Sequence, residues 1–441
     1  MPDPPAPHPP APEPAARPGM LALLRGNAAF RSLWAARLLS FLGDSVGLIA
    51  LLLYTAGHYG TGLAVALLMI AGDFVPSLLS PVAGVVSDRW DKRAVMVSCE
   101  IVQGAVIAVV ALTLPSLPLL LVLVAVQSCV AAVFQPASRS AVPALVPDAD
   151  LERANSAIGF GTNGMDSAGP LAGAALLAWL SVRDLLLIDV ATFAVSALLL
   201  LTLPAAALLR APGPADAAAT AGRAPPAGGR AAESPRQVLR AAGEGLAYLW
   251  QDRVLRVITL AFCAVVLFNG VDDVALVFLA RHTLHGSNSA ASLVYAGAGL
   301  GLLAGFLLLA RAAPRLAVPL LILAGYAVSS LGNLLTGLAA TILAALGFQV
   351  IRGLGIAAMD VGHSTLIQRL VPPALLGRAF GNVYGAVGAA AGLSYLFGGL
   401  LLDATNARVT LIVAGTGGLA AAGVAALVLP RALRDERARR T

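Results

Sequence analysis

Long apolar stretches with few charges alternate with short polar connections along most of the chain. Each stretch holds about 20 or more residues, enough for a helix to cross a hydrocarbon core of roughly 30 Å. A longer polar connection, 209–253, follows the sixth stretch. We predict an all-α integral membrane protein whose twelve transmembrane helices lie at 31–57, 61–86, 94–114, 117–138, 155–180, 184–208, 254–281, 289–310, 316–338, 340–362, 378–402 and 408–430.

The two halves of the chain share a sequence repeat. Leu145-Val146-Pro147 recurs as Leu370-Val371-Pro372, and Arg153-Ala154 as Arg378-Ala379, at a constant offset of 225 residues. Because this offset spans an even number of helices, the two six-helix repeats are parallel. We predict a disordered tail at 1–30, one bundle at 31–208, a linker with a surface helix at 209–253, a second bundle at 254–430 and a basic tail at 431–441.

Composition identifies lipid as the solvent. Of 441 residues, 58% are hydrophobic and 12% are charged, against roughly 25% charged residues in a soluble domain. The net charge of +6 suggests nucleic acid as a partner, but the basic residues are spread over short loops and indicate membrane orientation instead. With the N-terminus in the cytoplasm, 24 of the 29 Lys and Arg residues face inward and 3 face outward. Both termini are therefore predicted to be cytoplasmic.

The sequence lacks the motifs of several enzyme and metal chemistries. Cys99, Cys129 and Cys263 are far apart and form no CxxC or Cys/His metal spacing. Neither a GxxxxGKS phosphate loop nor a GxSxG nucleophile motif occurs, and Lys92 is the single lysine. We expect a monomer without enzyme activity, ATP hydrolysis, metal or cofactor. Its expected partners are the bilayer, protons and a small-molecule substrate, and nucleic acid is not among them.

The loop after the second predicted helix carries a family motif. Its sequence, Gly84-Val-Val-Ser-Asp88-Arg89-Trp-Asp91-Lys92-Arg93, resembles the signature loop G-x-x-x-D-R-x-G-R-R of the major facilitator superfamily, with Asp91 in place of the second glycine. The resemblance implies a cytoplasmic gate formed by Gly84, Asp88, Arg89, Lys92 and Arg93. Asp88 would face the positive N-terminus of the eleventh helix, near Arg378. The alternative is an ordinary basic loop that only fixes membrane orientation.

A second motif lies in the fifth predicted helix. Gly169-Pro170-Leu-Ala-Gly173-Ala174 is similar to the G-P-x-x-G-G element of proton-coupled exporters in this superfamily, with Ala174 replacing the last glycine. Small residues and proline allow close packing and a bend where the halves meet. We predict a helix-packing hinge at Gly169, Pro170 and Gly173, and a plain packing motif is the alternative.

Two further segments resemble one branch of the superfamily. Residues 136–155 (PASRSAVPALVPDADLERAN) and Arg37-Leu-Leu-Ser-Phe-Leu-Gly43-Asp44 are similar to enterobactin exporters and macrolide-efflux proteins. The arginine that family members usually carry in the fourth helix is missing, since this helix reads Val124-Ala-Val-Gln127-Ser. The tenth helix carries one, Arg352.

Four ionisable residues are predicted near the middle of the membrane. Asp44, Asp73, Asp166 and Arg352 each lie roughly 17–20 Å from one end of their helix, at ~1.5 Å per residue. Three acids and one base leave excess negative charge unless an acid is protonated, and an acid that exchanges its proton can couple transport to a proton gradient. We predict Asp44 and Asp73 first for this role, with Arg352 as their partner or as a counter-charge for the substrate. Structural ion pairs and helix-to-helix hydrogen bonds are the alternative.

Other charged residues have simpler interpretations. Arg37 and Glu100 lie at one depth on the first and third helices, where we expect them to pair. Asp189, Asp272 and Asp273 fall near the outer ends of their helices, where water is accessible, although the aspartate pair also suits a guard at the outer entrance.

These features favour a proton-coupled exporter of small amphipathic or hydrophobic molecules that works by alternating access between two bundles. A drug, a siderophore or a secondary metabolite would fit, and the composition is typical of a high-GC bacterium, which predicts the bacterial inner membrane. Uptake of a small metabolite is the rival function, and a membrane receptor or membrane-embedded enzyme is a remote one. Export is preferred because both exporter resemblances favour it and few other polar residues accompany the midplane acids.

Overall fold

The computed structural model describes residues 20–76, 91–147, 150–204, 250–312, 317–371 and 376–440. Within these ranges the chain is helical and contains no strand. We number the membrane helices α1 Ala28–Tyr59, α2 Gly62–Phe74, α3 Lys92–Thr113, α4 Leu117–Leu145, α5 Leu151–Leu176, α6 Val182–Leu201, α7 Arg253–Thr283, α8 Asn288–Ala312, α9 Val318–Gly337, α10 Ile342–Leu370, α11 Leu376–Ala404 and α12 Ala407–Arg440.

Helix length and hydropathy agree with a membrane fold. Ten of the described helices are long and apolar enough to cross a membrane. The described part of α2 is shorter because residues 77–90 lie outside the described ranges, and α5 is more polar because it carries Asn155, Asn163 and Asp166. The all-α membrane fold with two six-helix repeats is therefore confirmed.

The ends of the chain differ from the prediction. Residues assigned to a disordered tail form a short helix, Met20–Gly26, and the first turn of α1. Asn27 explains this order, because its side chain accepts a hydrogen bond from Phe30 N at 2.9 Å and donates one to Leu145 O of α4 at 2.7 Å. At the other end, α12 continues through the predicted basic tail to Arg440. Residues 1–19 and most of the predicted linker, 209–249, lie outside the described ranges.

Three hydrophobic cores show how the bundles meet. We call the membrane side where α1 begins and α12 ends the terminal side, and the opposite side the distal side. On the distal side one core combines residues of both bundles, including Leu52 of α1, Leu276 of α7 and Leu411 of α12. On the terminal side each bundle has its own core, around Phe30 in the first and Ile322 in the second. Among the described residues, the bundles therefore share a core on the distal side alone.

Close packing between α8 and α10 depends on glycine. Gly297, Gly301 and Gly305 recur every fourth residue on α8 and face α10. A Cβ atom placed on Gly353 of α10 would lie 2.6 Å from the backbone nitrogen of Leu302, whereas Gly347 of the same helix faces open space. Such backbone contact supplies the dispersion energy that holds membrane helices together, because lipid provides no hydrophobic driving force between them.

Gly353→Ala is expected to destabilise the protein by about 1–3 kcal/mol, because the new methyl group overlaps the α8 backbone. Gly347→Ala is the matched control, since it adds the same methyl group to the same helix in open space. Thermal unfolding of both purified variants in detergent measures the difference. Equal melting temperatures would show that the α8–α10 contact tolerates a side chain.

Candidate functional site

A cavity of about 260 Å³ lies in the first bundle, between α1, α2, α3, α4 and α6. Its polar lining consists of Asp44, Asp73, Asp189, Gln127 and Ser128. Apolar side chains such as Leu48, Leu51, Met69 and Val124 form most of the remaining wall, and no Lys or Arg lines it. This combination suits a ligand that has apolar surface and a positive charge.

Asp44 and Asp189 bring two carboxyl groups to this cavity. Asp44 of α1 accepts a hydrogen bond from the Gln127 amide of α4 at 3.2 Å. Asp189 of α6 is only 1% exposed and packs against Gly43 and Gly47 of α1, where a side chain would collide with its carboxyl group. Asp189 is thus almost fully buried between helices at the wall of the cavity, and does not lie at a water-exposed helix end as the sequence predicted. Gln127 contacts Asp44 without neutralising it, so the charge of Asp44 is available to a cation or a proton.

Asp73 joins the cavity to the second bundle. It lies in a π-helical segment of α2, Ile70–Phe74, a local irregularity that often marks functional sites. The hydroxyl oxygen of Tyr395 in α11 lies 3.2 Å from Asp73 Oδ2 and also 3.2 Å from Asp273 Oδ2 of α7. Tyr295 of α8 donates a hydrogen bond to Asp273 Oδ1 at 3.1 Å. One tyrosine therefore connects a carboxyl group of each bundle.

A hydroxyl group between two carboxyl groups has a definite proton requirement. The phenol of Tyr395 has one O–H to donate, so it satisfies one carboxylate. Its contact with the second is favourable when that group carries a proton and donates it to the phenol oxygen. Without this proton, two negative charges face the same hydroxyl across the seam between the bundles and repel each other. The arrangement can therefore hold one exchangeable proton while the bundles are in contact.

Asp272, the residue before Asp273, forms an ion pair inside the second bundle. Its Oδ2 lies 2.6 Å from Nη2 of Arg352 in α10, and the carboxyl group is fully buried. The helix α7 is interrupted after Asn269 and resumes at Asp272, so both aspartates lie in the first turn of a helical segment, whose positive end favours them. Arg352 thus pairs with Asp272 and not with Asp44 or Asp73. Asp272 is buried, in contrast to the expectation that water reaches it. The interruption of α7 explains this, because residue spacing along a regular helix does not locate the side chains after a break.

The glycine-proline motif of α5 lies at the seam between the bundles. The Pro170 carbonyl accepts a hydrogen bond from Ser292 Oγ of α8 at 2.6 Å. Gly173 leaves the space that Ser292 occupies, and Gly169 leaves the space that Ser45 of α1 occupies. The motif therefore brings α5 into close contact with a helix of each bundle.

The predicted cytoplasmic gate is described only in part. Lys92 Nζ donates a hydrogen bond to Ser140 O of α4 at 3.0 Å, and Arg93 donates one to Leu201 O of α6. Both basic residues fasten the start of α3 to its own bundle. Gly84, Asp88 and Arg89, together with the side chains of Asp166 and Arg378, lie outside the described residues.

The expected ion pair between Arg37 and Glu100 is not formed. Arg37 instead donates hydrogen bonds to Ser138 Oγ and Gln135 Oε1 of α4. Glu100 is fully buried in α3, and neither carboxyl oxygen has a hydrogen-bond partner in the described part of the chain. Polar groups of α4 thus bind the guanidinium group in place of Glu100. The similar depth of Arg37 and Glu100 in the sequence did not reveal these competing partners.

Sequence reasoning missed the roles of Asp273, Tyr295 and Tyr395 in this cluster. A signal was present, because two adjacent aspartates inside an apolar stretch need hydrogen-bond donors, and only 7 tyrosines occur in the whole chain. Which tyrosines face them depends on helix rotation, which the sequence does not give.

Comparisons with known proteins show the family and the fold of this chain. A sequence profile of the Major Facilitator Superfamily matches residues 33–280 and 273–441. The MFS-type transporter YfiS of Bacillus subtilis is 28% identical over 410 residues, which cover 89% of this chain and 91% of that protein. Macrolide efflux protein A of Streptococcus pyogenes is 24% identical over 129 residues, which cover 28% of this chain and 32% of that protein.

Solved transporter structures share the fold. The nucleoside transporter NupG superposes with a TM-score of 0.73 at 13% identity, covering 91% of this chain and 98% of that one. A bacterial homolog of the human lysosomal transporter Spinster, in an inward-facing and unoccupied conformation, gives a TM-score of 0.63 at 15% identity, covering 95% and 96%. At these identities the likeness concerns the fold alone. The profile match extends over nearly the whole chain, and this protein is therefore a membrane transporter of the Major Facilitator Superfamily.

Proposed function

We propose that this transporter is a proton-coupled exporter of small amphipathic or hydrophobic molecules in a bacterial inner membrane. The terminal side, which carries most of the Lys and Arg residues, faces the cytoplasm together with both termini. The partial similarity to macrolide efflux protein A supports a place in the branch of enterobactin exporters and macrolide-efflux proteins.

The contact of Tyr395 with Asp73 and Asp273 carries this proposal. It connects the bundles and is favourable when the three groups hold one proton beyond that of the phenol. A proton bound here stabilises the state that is closed on the distal side and open to the cytoplasm. Its loss replaces a hydrogen bond with repulsion between carboxylates and favours distal opening. Proton binding and bundle rotation are linked at one site.

Export follows from the direction of the proton gradient. When the distal side is open, a proton from outside reaches Asp73, and the bundles then close outside and open inside. The proton leaves to the less acidic cytoplasm while a substrate binds in the cavity. The deprotonated cluster then lets the distal side open, and the substrate is released outside.

The cavity of the first bundle is the substrate site in this proposal. Because Asp44, Asp73 and Asp189 line it without a basic residue, an amphipathic molecule with a positive charge gains both apolar contact and charge compensation. Asp73 belongs to the cavity and to the proton site. Substrate and proton therefore compete for one carboxyl group, which makes their transport alternate.

The remaining candidates have supporting roles in this mechanism. Arg352 holds Asp272 beside the proton site, and Asp166 is a further coupling candidate. The hinge comprises Gly169, Pro170 and Gly173, and the cytoplasmic gate comprises Gly84, Asp88, Arg89, Lys92 and Arg93.

Proteoliposomes containing the protein are expected to transport ethidium, an amphipathic cation, in the direction opposite to an imposed proton flow. Ethidium fluorescence inside vesicles of known protein orientation measures this movement. Collapse of the pH gradient by an ionophore is the control and should abolish it. Movement of ethidium together with protons would contradict export, and no movement of either ethidium or tetraphenylphosphonium would contradict the substrate class.

Tyr395→Phe is expected to lower proton-driven ethidium transport roughly tenfold, because it removes a hydrogen bond to a charged group and leaves the ring in place. Tyr384→Phe is the matched control on the same helix, since that hydroxyl bonds Asp360 within the second bundle at 3.0 Å. Rates are measured over a series of external pH values. The control should retain the pH response of the unmodified protein, and a retained response in Tyr395→Phe would disprove the role of the shared hydroxyl.

Asp44→Asn is expected to weaken ethidium binding at least about tenfold, because the charge is lost while the size and the Gln127 contact are kept. Asp184→Asn is the control, since this carboxylate lies at the distal end of α6, where it accepts a hydrogen bond from Ser181 N. Fluorescence titration of the purified variants gives both affinities. An unchanged affinity in Asp44→Asn would remove Asp44 from the substrate site, and retained, pH-independent transport would exclude it as the proton carrier.

A further inference from the structure

A carboxylate of one bundle covers the beginning of a helix in the other bundle on the distal side. Asp403, near the end of α11, accepts a hydrogen bond from Gly62 N through Oδ1 and a second from Leu63 N through Oδ2 at 3.0 Å. Gly62 and Leu63 are the first two residues of α2. The contact therefore crosses the seam between the bundles.

The first turn of α2 depends on this carboxylate. The first N–H groups of a helix have no acceptor within the helix and point along its positive end. The third of them, Ala64 N, is satisfied within the first bundle by Thr61 Oγ1 at 3.3 Å. The first two are satisfied by Asp403. An anionic acceptor on two such donors forms charge-assisted hydrogen bonds, which are stronger than neutral ones.

Small residues bring the two helices close enough for this contact. A Cβ atom on Gly399, one turn before Asp403, would lie 2.7 Å from Ala66 Cβ and 2.9 Å from the Gly62 carbonyl oxygen. The backbones of α2 and α11 thus touch next to the carboxylate. Asp403 itself is exposed at the edge of the protein, so water replaces the bonds when the helices separate.

We propose that Asp403 is a distal latch, which stabilises the closed distal side by capping α2 from the opposite bundle. The latch acts without a proton and is separate from the coupling mechanism proposed above.

The distance between the distal loops tests the latch. Spin labels at Ala178→Cys in the first bundle and Ala340→Cys in the second lie on exposed loop positions of the distal side. They are placed in a background in which Cys99, Cys129 and Cys263 are replaced by Ala. Pulsed electron paramagnetic resonance at one fixed pH, without substrate or gradient, gives the populations of closed and open distal states. Asp403→Asn is expected to raise the open-to-closed ratio roughly tenfold, as expected for the loss of a charge-assisted contact.

A second variant removes the donor in place of the acceptor. Leu63→Pro deletes one of the two N–H groups, and proline is tolerated in the first turn of a helix. It should shift the ratio in the same direction as Asp403→Asn. Asp184→Asn, which removes a distal carboxylate that caps its own helix, should leave the ratio unchanged.

Gly399→Val provides the positive control, because its side chain would force α2 and α11 apart. If Gly399→Val opens the distal side while Asp403→Asn and Leu63→Pro both match the unmodified protein, the latch is disproved. An equal shift in Asp184→Asn would also overturn it, since the effect would then reflect the net charge of the distal surface.

Discussion

A carboxylate inside a hydrocarbon layer needs a counter-charge, hydrogen-bond donors or a proton, and this requirement organises the centre of the transporter. Asp272 is neutralised by Arg352, and Asp44 receives the amide of Gln127. Asp73 and Asp273 share the hydroxyl of Tyr395. The contacts of Asp272 and Asp44 each lie within one bundle, so they do not depend on how the bundles are arranged. The third crosses the seam, so it exists only while the bundles touch there.

Rigid bundles are what allow such a local contact to matter at long range. In the second bundle, α8 and α10 touch through glycine backbones. Next to them, a buried polar network links α7, α9 and α10, in which Asn269 donates to Ser330 Oγ at 2.9 Å and Gln349 donates to Thr336 Oγ1 at 3.2 Å. In lipid such bonds have no competing water, and they fix the rotation of each helix. A change of charge at the Tyr395 contact is therefore transmitted by movement of the bundle as a body and is not absorbed by a single helix.

The all-α membrane fold and the approximate positions of the spans could be read from the sequence, because the membrane imposes one length and one hydropathy on every span. The helix ends could not, since α4, α10 and α12 continue well beyond their predicted ends. Residue spacing along the helices gave Asp44 and Asp73 a similar depth, and both side chains line the same cavity. The rotation of each helix about its own axis could not be predicted from the sequence, because membrane helices contact each other through small residues, and these occur on several faces of a helix. This is why Arg352 was paired with the wrong acids and Arg37 with Glu100. The interruption of α7 was hidden for a similar reason, because Asn269-Gly270 is a weak signal within an apolar run.

The contacts that Asp403 and Tyr395 make across the seam differ in their dependence on a proton, as the energetics of transport require. A pH difference of one unit across the membrane supplies about 1.4 kcal/mol per proton, which is the scale on which a proton can shift the two states. A fixed contact that stabilised the closed state by many times this amount would hold the distal side shut whatever the gradient. Asp403 is exposed to water, which limits the net stabilisation from its bonds to Gly62 and Leu63. Tyr395 is buried at the seam, whereas Asp273 is partly buried and Asp73 is exposed, so a proton can reach the contact. The fixed contact of Asp403 thus sets a baseline for closure, and the proton-dependent contact of Tyr395 decides when the distal side opens.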